Sequence, residues 1–181
     1  MKRILAFAGS NSSKSINRAL LEHAARLVGQ HAVTVIDLRD FETPIYCMDL
    51  EAKDGIPENT QRLRKLFDEH DAFMIASPEN NGMMPAFFKN AMDWISRMEG
   101  KIFQGKPVML MSTSPGPRGG QTNLEHMKAV IPHWGASTVF ADFHLGRFYE
   151  AYDVGEKSFT DPADEQRLAD AVRAFEDHLS A

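Results

Sequence analysis

The sequence predicts an α/β protein in which a parallel sheet is covered by helices on both faces, within one domain spanning residues 1–181. Three observations carry this. Short apolar runs alternate with longer amphipathic stretches through five cycles. The first run, RILAFA at residues 3–8, is continuously apolar and ends at Gly9-Ser10, as in a strand buried on both faces. No internal repeat, low-complexity tract or linker divides the chain.

The elements follow in order. After the first strand, Leu20, Ala24, Leu27 and Val28 fall at helical spacing within residues 16–29. Val33 to Leu38 is β-branched and mostly apolar, a second strand. Pro57 and Glu58 open a helix carrying Leu63, Leu66 and Phe67, which leads into a third strand, Ala72 to Ala76. A helix over about 85–98 places Phe87, Phe88, Ala91, Met92, Trp94, Ile95 and Met98 on an arc of roughly 160°. That width fits a deeply seated helix or a subunit interface equally. Pro107 to Met111 is the fourth strand, and a helix from about Gly120 to Ile131 carries Leu124, Met127 and Ile131. Thr138 to Phe140 is the fifth strand, and Asp161-Pro162 caps a last helix with Leu168, Ala171, Val172, Phe175 and Leu179 inward.

Five strands fit the doubly wound flavodoxin-like order 2-1-3-4-5 better than the six-stranded dinucleotide fold. In such a sheet ligands bind beyond the carboxyl ends of the strands, where the order reverses. The loops that matter are therefore Gly9–Asn17, Pro78–Pro85 and Ser112–Gly120, after strands one, three and four.

Composition narrows the partners. At 43% hydrophobic and 25% charged residues the chain has a globular profile, and a formal charge of -5 gives no broad attraction to nucleic acid or anionic lipid. The apolar runs at Ile4–Ala8 and Ala72–Ala76 are far below the roughly 20 residues of a membrane span. They are also shorter than a secretory core of about 7–15 residues. The single Cys47 has no partner for an internal disulfide and reads as a small buried side chain, so a cytoplasmic protein is expected. The histidines show no metal-ligand spacing, and no G-x-S-x-G is present. The acidic run around Asp49, Glu51 and Asp54 reads as a solvated loop.

The first loop gathers Ser10, Asn11, Ser12, Ser13, Ser15, Ile16 and Asn17 at a helix N-terminus, where hydroxyls and free backbone N–H groups suit a phosphate. Alone it reads equally as a plain helix cap. A Walker-type loop would need glycine before Lys14, and G-x-G-x-x-G is absent. The second loop reads Pro78-Glu79-Asn80-Asn81-Gly82-Met83-Met84-Pro85. The third reads Ser114-Pro115-Gly116-Pro117-Arg118-Gly119-Gly120, its punctuation suited to close approach of a flat ligand. That all three converge on one sheet edge is the stronger signal.

Gly9-Ser10 with Ser15-x-Asn17, Pro78-Glu79-x-Asn81-Gly82 with Pro85, Lys89-Asn90-Ala91-x-Asp93-Trp94, and Gly116 with Gly119-Gly120 together resemble the NAD(P)H-dependent FMN reductase family. Quinone, chromate and azo-dye reductases belong to that family. The resemblance covers about residues 3–132. It implies a flavodoxin-like fold, bound FMN, NADPH or NADH as donor, and a homodimer or homotetramer with flavin near a subunit boundary. Residue by residue, it places Ser10, Ser15 and Asn17, with Ser12 and Ile16 beside them, at the FMN phosphate. Pro78, Glu79, Asn80, Asn81 and Gly82 would line one edge of the isoalloxazine. Ser114, Gly116, Gly119 and Gly120 would lie near its pyrimidine end. Two positions depart from the pattern: Ser12 stands where the family has arginine, and Asn80 where it has tyrosine. Weaker flavin retention is the expected consequence, because several donors at roughly 1.5–3 kcal/mol each remain for a charged group.

The activity implied is hydride transfer from nicotinamide to FMN, then two-electron delivery to a quinone, free flavin, azo compound or similar acceptor in a ping-pong sequence. No side-chain acid or base is required for the first half. A flavodoxin-like one-electron carrier, or a flavin-binding regulator without turnover, is the alternative. The absence of aromatic residues from the two flavin-edge loops favours the open, two-electron site.

Overall fold

The computed structural model describes residues 1–181. In chain order the elements are β1 (Arg3–Ala8), α1 (Ile16–Leu27), β2 (Ala32–Val35), α2 (Met48–Asp54), α3 (Glu58–Glu69), β3 (Ala72–Ala76) and α4 (Ala86–Ile95). There follow β4 (Val108–Thr113), α5 (Gln121–Val130), β5 (Val139–Leu145), α6 (Phe148–Ala151), β6 (Tyr152–Asp153), β7 (Ser158–Phe159) and α7 (Pro162–Ser180). The main sheet runs β2-β1-β3-β4-β5, with every neighbouring pair parallel. The predicted flavodoxin-like order is the observed one, and the order reverses between β1 and β3.

Successive side chains of a strand point to opposite faces, and β1 shows why its run is unbroken. Ile4 and Ala6 enter the core beneath α1 and α7, whereas Leu5 and Phe7 enter the core beneath α3, α4 and α5. Both faces are dry, so both sets must be apolar. Phe7 lies fully buried against the rings of Phe67 and Phe88, at centroid distances of 5.8 and 6.3 Å. Its truncation to alanine would cost about 3–5 kcal/mol.

The boundaries differ from expectation where a polar residue intervenes. β2 stops at Val35, not Leu38. Asp37 accepts the Arg39 N–H at 3.0 Å and caps a short 3-10 turn that tucks Leu38 and Phe41 inward. β5 runs on to Leu145, well past Phe140: as an edge strand it alternates, with Phe143 and Leu145 buried around the half-exposed His144.

The acidic run is not a loop. Residues Met48–Asp54 form a helix with no buried residue, held by Glu51. That carboxylate accepts hydrogen bonds from Arg97 at 3.0 and 3.1 Å and from the Tyr46 hydroxyl at 2.9 Å. Cys47 is exposed at the start of this helix, against the expectation of a buried thiol. The wide apolar arc of α4 is consumed within the chain. Its buried Trp94 donates to the Pro44 carbonyl at 2.8 Å and meets the Tyr46 ring edge-on at 5.1 Å, so the strap over 43–47 covers a second side of the helix.

Candidate functional site

Three loops leave the carboxyl edge of the sheet on either side of the switch point. The first, after β1, is shaped by its own hydroxyls. Ser10 Oγ accepts the Ser12 N–H at 3.2 Å, Ser12 Oγ accepts the Lys14 N–H at 3.2 Å, and Ser15 Oγ caps α1 by accepting the Arg18 N–H at 3.3 Å. These short-range bonds turn the chain and leave other donors over. The N–H groups of Ser10, Asn11, Ser13, Ser15, Ile16 and Asn17 find no acceptor within the protein. With the positive end of the α1 dipole behind them, such unused amides form an anion-binding concavity.

Asn17 contributes differently from its neighbours. Its buried side chain donates to the Thr113 carbonyl at 2.9 Å and accepts the Thr113 N–H at 3.0 Å, a two-way amide pairing. The side chain therefore ties the start of α1 to the end of β4, and only the Asn17 backbone faces outward as a donor.

The second loop contains a tight reversal. Asn80 and Met83 exchange backbone hydrogen bonds at 2.9 and 3.1 Å, with Asn81 and Gly82 between them at φ of 53° and 79°. Two successive positive-φ residues define a type I′ turn, which is why Asn-Gly stands there. Gly82's carbonyl lies 3.1 Å from His126 Nδ1 on α5. Glu79 is half-buried, and its Oε2 accepts the Asn123 N–H at 2.9 Å in the first turn of α5. The N-cap of that helix is Gly120, which has no side chain, so Glu79 supplies the missing acceptor from across the site.

In the third loop the glycines are required by packing. A Cβ on Gly120, at φ 79°, would lie 2.0 Å from Ser112 Oγ, and one on Gly119 would lie 2.6 Å from the Leu145 carbonyl carbon. Both residues are buried. Gly116 alone of the three faces open space, its virtual Cβ meeting nothing nearer than Ser114 Oγ at 3.8 Å. The loop after β5 clamps this segment, with Arg147 N–H donating to the Gly116 carbonyl at 2.9 Å and Phe148 N–H to the Ser114 carbonyl at 3.1 Å.

The predicted residues thus separate into two groups. Ser10, Ser12, Ser15, Ile16, Asn17, Pro78, Glu79, Asn80 and Ser114 line one groove of about 220 Å³. Asn81 and Gly82 form the turn behind it, while Gly119 and Gly120 pack beneath its wall. Lys14, Thr113, Pro115 and Tyr149 complete the lining. Sequence reasoning did not reach Tyr149, because α6 lies beyond the last quoted motif. Nor did it reach Asn123, whose Nδ2 donates to Ser77 Oγ at 3.0 Å and to the Pro78 carbonyl at 2.9 Å. A polar residue next to Leu124 on the inward face of a predicted helix was the available signal.

The electrostatics around the first loop are nearly balanced. Arg18 and Arg39 both pair with Asp37, and Arg39's hydrogen bonds hold the Asp37 carboxyl down at about 2. Hydrogen bonding to Glu22 raises the Arg18 guanidinium above its ordinary value. With those charges matched, Lys14 is the cation of the loop that stands outside the network.

The chemistry of the site suits a phosphorylated ligand: the spare amides of the first loop are donors that a phosphate can use, and Gly116 presents no side chain at the third loop. Comparison with known proteins agrees. Residues 2–150 match the NADPH-dependent FMN reductase family. The chain is 34% identical over 143 residues to an NAD(P)H-dependent FMN reductase of Pseudomonas aeruginosa, covering 78% of this chain and 72% of that protein. It is 32% identical over 169 residues to a quinone reductase of Pseudomonas putida, covering 92% and 84% of the two. FerB, a flavoenzyme NAD(P)H:(acceptor) oxidoreductase from Paracoccus denitrificans, superposes with a TM-score of 0.78 at 29% identity, covering 98% and 96%. None of the helices is long and apolar enough to cross a membrane. The chain belongs to the NADPH-dependent FMN reductase family, oxidoreductases that use FMN and NAD(P)H.

Proposed function

We propose that this oxidoreductase works by a ping-pong exchange in which NADPH or NADH and then a quinone, free flavin or azo compound occupy the same open face beside the groove. When bound, FMN would supply the redox chemistry, two-electron exchange between nicotinamide and acceptor. The observation that carries the reading is the row of spare amides from Ser10 to Asn17 opposite the Pro78–Asn80 wall. Ser10, Ser12, Ser15 and the backbone of Ile16 and Asn17 hold the phosphate. Pro78, Glu79 and Asn80, backed by the Asn81-Gly82 turn, would set one edge of the ring site; Ser114 and Gly116 would set the other, supported from beneath by Gly119 and Gly120.

The protein's part is position and field. Gly116 and Arg118 offer backbone N–H groups with no protein acceptor, donors that would stabilise negative charge on a bound flavin. Glu79 holds α5 in place and so keeps that wall rigid; it moves no proton. Arg118 itself is exposed and serves as a solvated loop residue. No aromatic side chain from the second or third loop covers the ring, which leaves the stacking face to substrates.

Two finer points belong to the same reading. Ile45 on the strap and Met48 at the start of α2 are 84% and 73% exposed beside α4, which supports a homodimer or homotetramer through that side. The exposed thiol of Cys47 suits the reducing cytoplasm. Initial rates measured against NADPH and NADH at several quinone concentrations test the exchange. Parallel double-reciprocal lines are expected; intersecting lines, or no nicotinamide oxidation with any acceptor, would overturn it.

A further inference from the structure

The groove does not end at the phosphate loop. At Lys14, Ser15, Ile16 and Tyr149 it opens into a second hollow of about 480 Å³, between the first turns of α1 and the α6–β6 segment. Ser13, Arg18, Ala19, Glu22, Phe148 and Val154 form the rest of its wall. Tyr149 and Val154 are 68% and 53% exposed, large apolar surfaces left uncovered at the rim. Beyond the shared Ser15 and Ile16, the phosphate assignment leaves the walls of this second hollow unused.

The wall carries several kinds of chemistry in sequence. Lys14 stands at the junction with the phosphate cradle, its ammonium outside the Arg18–Glu22–Asp37–Arg39 network. Glu22 gives only Oε1 to Arg18 at 2.8 Å, which leaves its second oxygen to accept from ligand hydroxyls. Tyr149, Val154, Ile16 and Ala19 offer flat and aliphatic surface at a scale suited to a nucleobase. We infer that the hollow binds an adenylate group of a dinucleotide, with its phosphate at Lys14, its ribose hydroxyls at Glu22 and its base against Tyr149 and Val154. The inference rests on the flavin reading, because it begins where the FMN phosphate ends.

Adenylate reaches the hollow from one of two sources, a flavin dinucleotide or the nicotinamide donor, and two titrations separate them. Apo-protein is titrated with FMN and with FAD by fluorescence quenching. Protein loaded with FMN is titrated with AMP by calorimetry. Both are repeated on Val154→Glu, which adds a negative charge at an exposed turn outside the flavin groove and leaves the core intact. The variant should weaken FAD or AMP by about tenfold while FMN affinity is unchanged. Loss of FAD together with AMP assigns a flavin dinucleotide; loss of AMP with FAD affinity unaffected assigns the donor. The inference fails if wild-type protein takes FMN but neither FAD nor AMP, or if Val154→Glu binds both as the wild type does. Uptake of no flavin at all overturns the flavin reading, and this inference with it.

Discussion

The first and third loops leave the same sheet edge and are both rich in small residues, yet they are built in opposite ways. The loop after β1 folds on its own hydroxyls and keeps a row of amides spare. The loop after β4 is clamped by the segment after β5, and two of its glycines exist because neighbouring atoms stand 2.0 and 2.6 Å from where a Cβ would be. Similar composition therefore leaves donors spare in one place and serves packing in the other. Small residues at a site edge do not by themselves mark ligand contact; unpaired donors are the more specific sign.

The sharpest way to break the contrast lies within the third loop. Gly120→Ala should destabilise the protein by about 3 kcal/mol, combining a left-handed backbone with a collision at Ser112, whereas Gly116→Ala should cost under about 0.5 kcal/mol. Thermal or urea unfolding of the pair measures this. Equal losses would show that Gly120 is not held by packing. In the first loop the expected effect is on ligand and not on stability. Ser12→Arg should tighten FMN by about tenfold, the equivalent of one added charge-assisted bond, with riboflavin unaffected. Unchanged or poorer FMN affinity in a fluorescence titration would count against the phosphate assignment.

Smaller effects test the supports. Glu79→Ala should cost about 1 kcal/mol in unfolding experiments, the ordinary worth of a helix cap, because it strips the acceptor from the Asn123 N–H. A pH titration probes a region far from the loops. Burial, with Arg26's charge adding, lowers His23 below its ordinary value of 6.5, while Glu165 opposes the shift only in part. The folded state refuses a proton that the unfolded chain accepts. Stability contributed by neutral His23 is therefore present above about pH 6.5 and lost as pH falls below it. The melting temperature should decline between about pH 7 and about pH 5.5, and His23→Gln should flatten that slope.

Much of this was legible in the sequence, for identifiable reasons. Strands buried on both faces, such as β1 and β3, announce themselves as unbroken apolar runs, and Asp161-Pro162 marks the start of α7 by capping chemistry. The edge strand β5 was harder, since one face is partly wet and polar Asp142 and His144 break the run. Helix α2 was missed because it buries nothing: its order depends on Glu51 meeting Arg97 and Tyr46, a contact made across the fold. Cys47 was misplaced for a related reason, as its exposure follows from the start of that helix. At the site, motif spacing singled out three loops whose residues line one groove. It gave no means of telling that the Asn17 side chain is spent on Thr113, that Glu79 is spent on α5, or that Tyr149 stands at the rim. Those are facts of long-range pairing, where residues 96 and 44 positions apart are hydrogen-bonded.

The central assertion is that the spare amides of the β1–α1 loop grip a phosphate. Paired titrations of the apo-protein with FMN and with riboflavin, which differ only in that group, address it directly. FMN should bind at least about a hundredfold more tightly, since two or more charge-assisted bonds at roughly 1.5–3 kcal/mol each are at stake. Equal affinities for the two flavins would contradict the account.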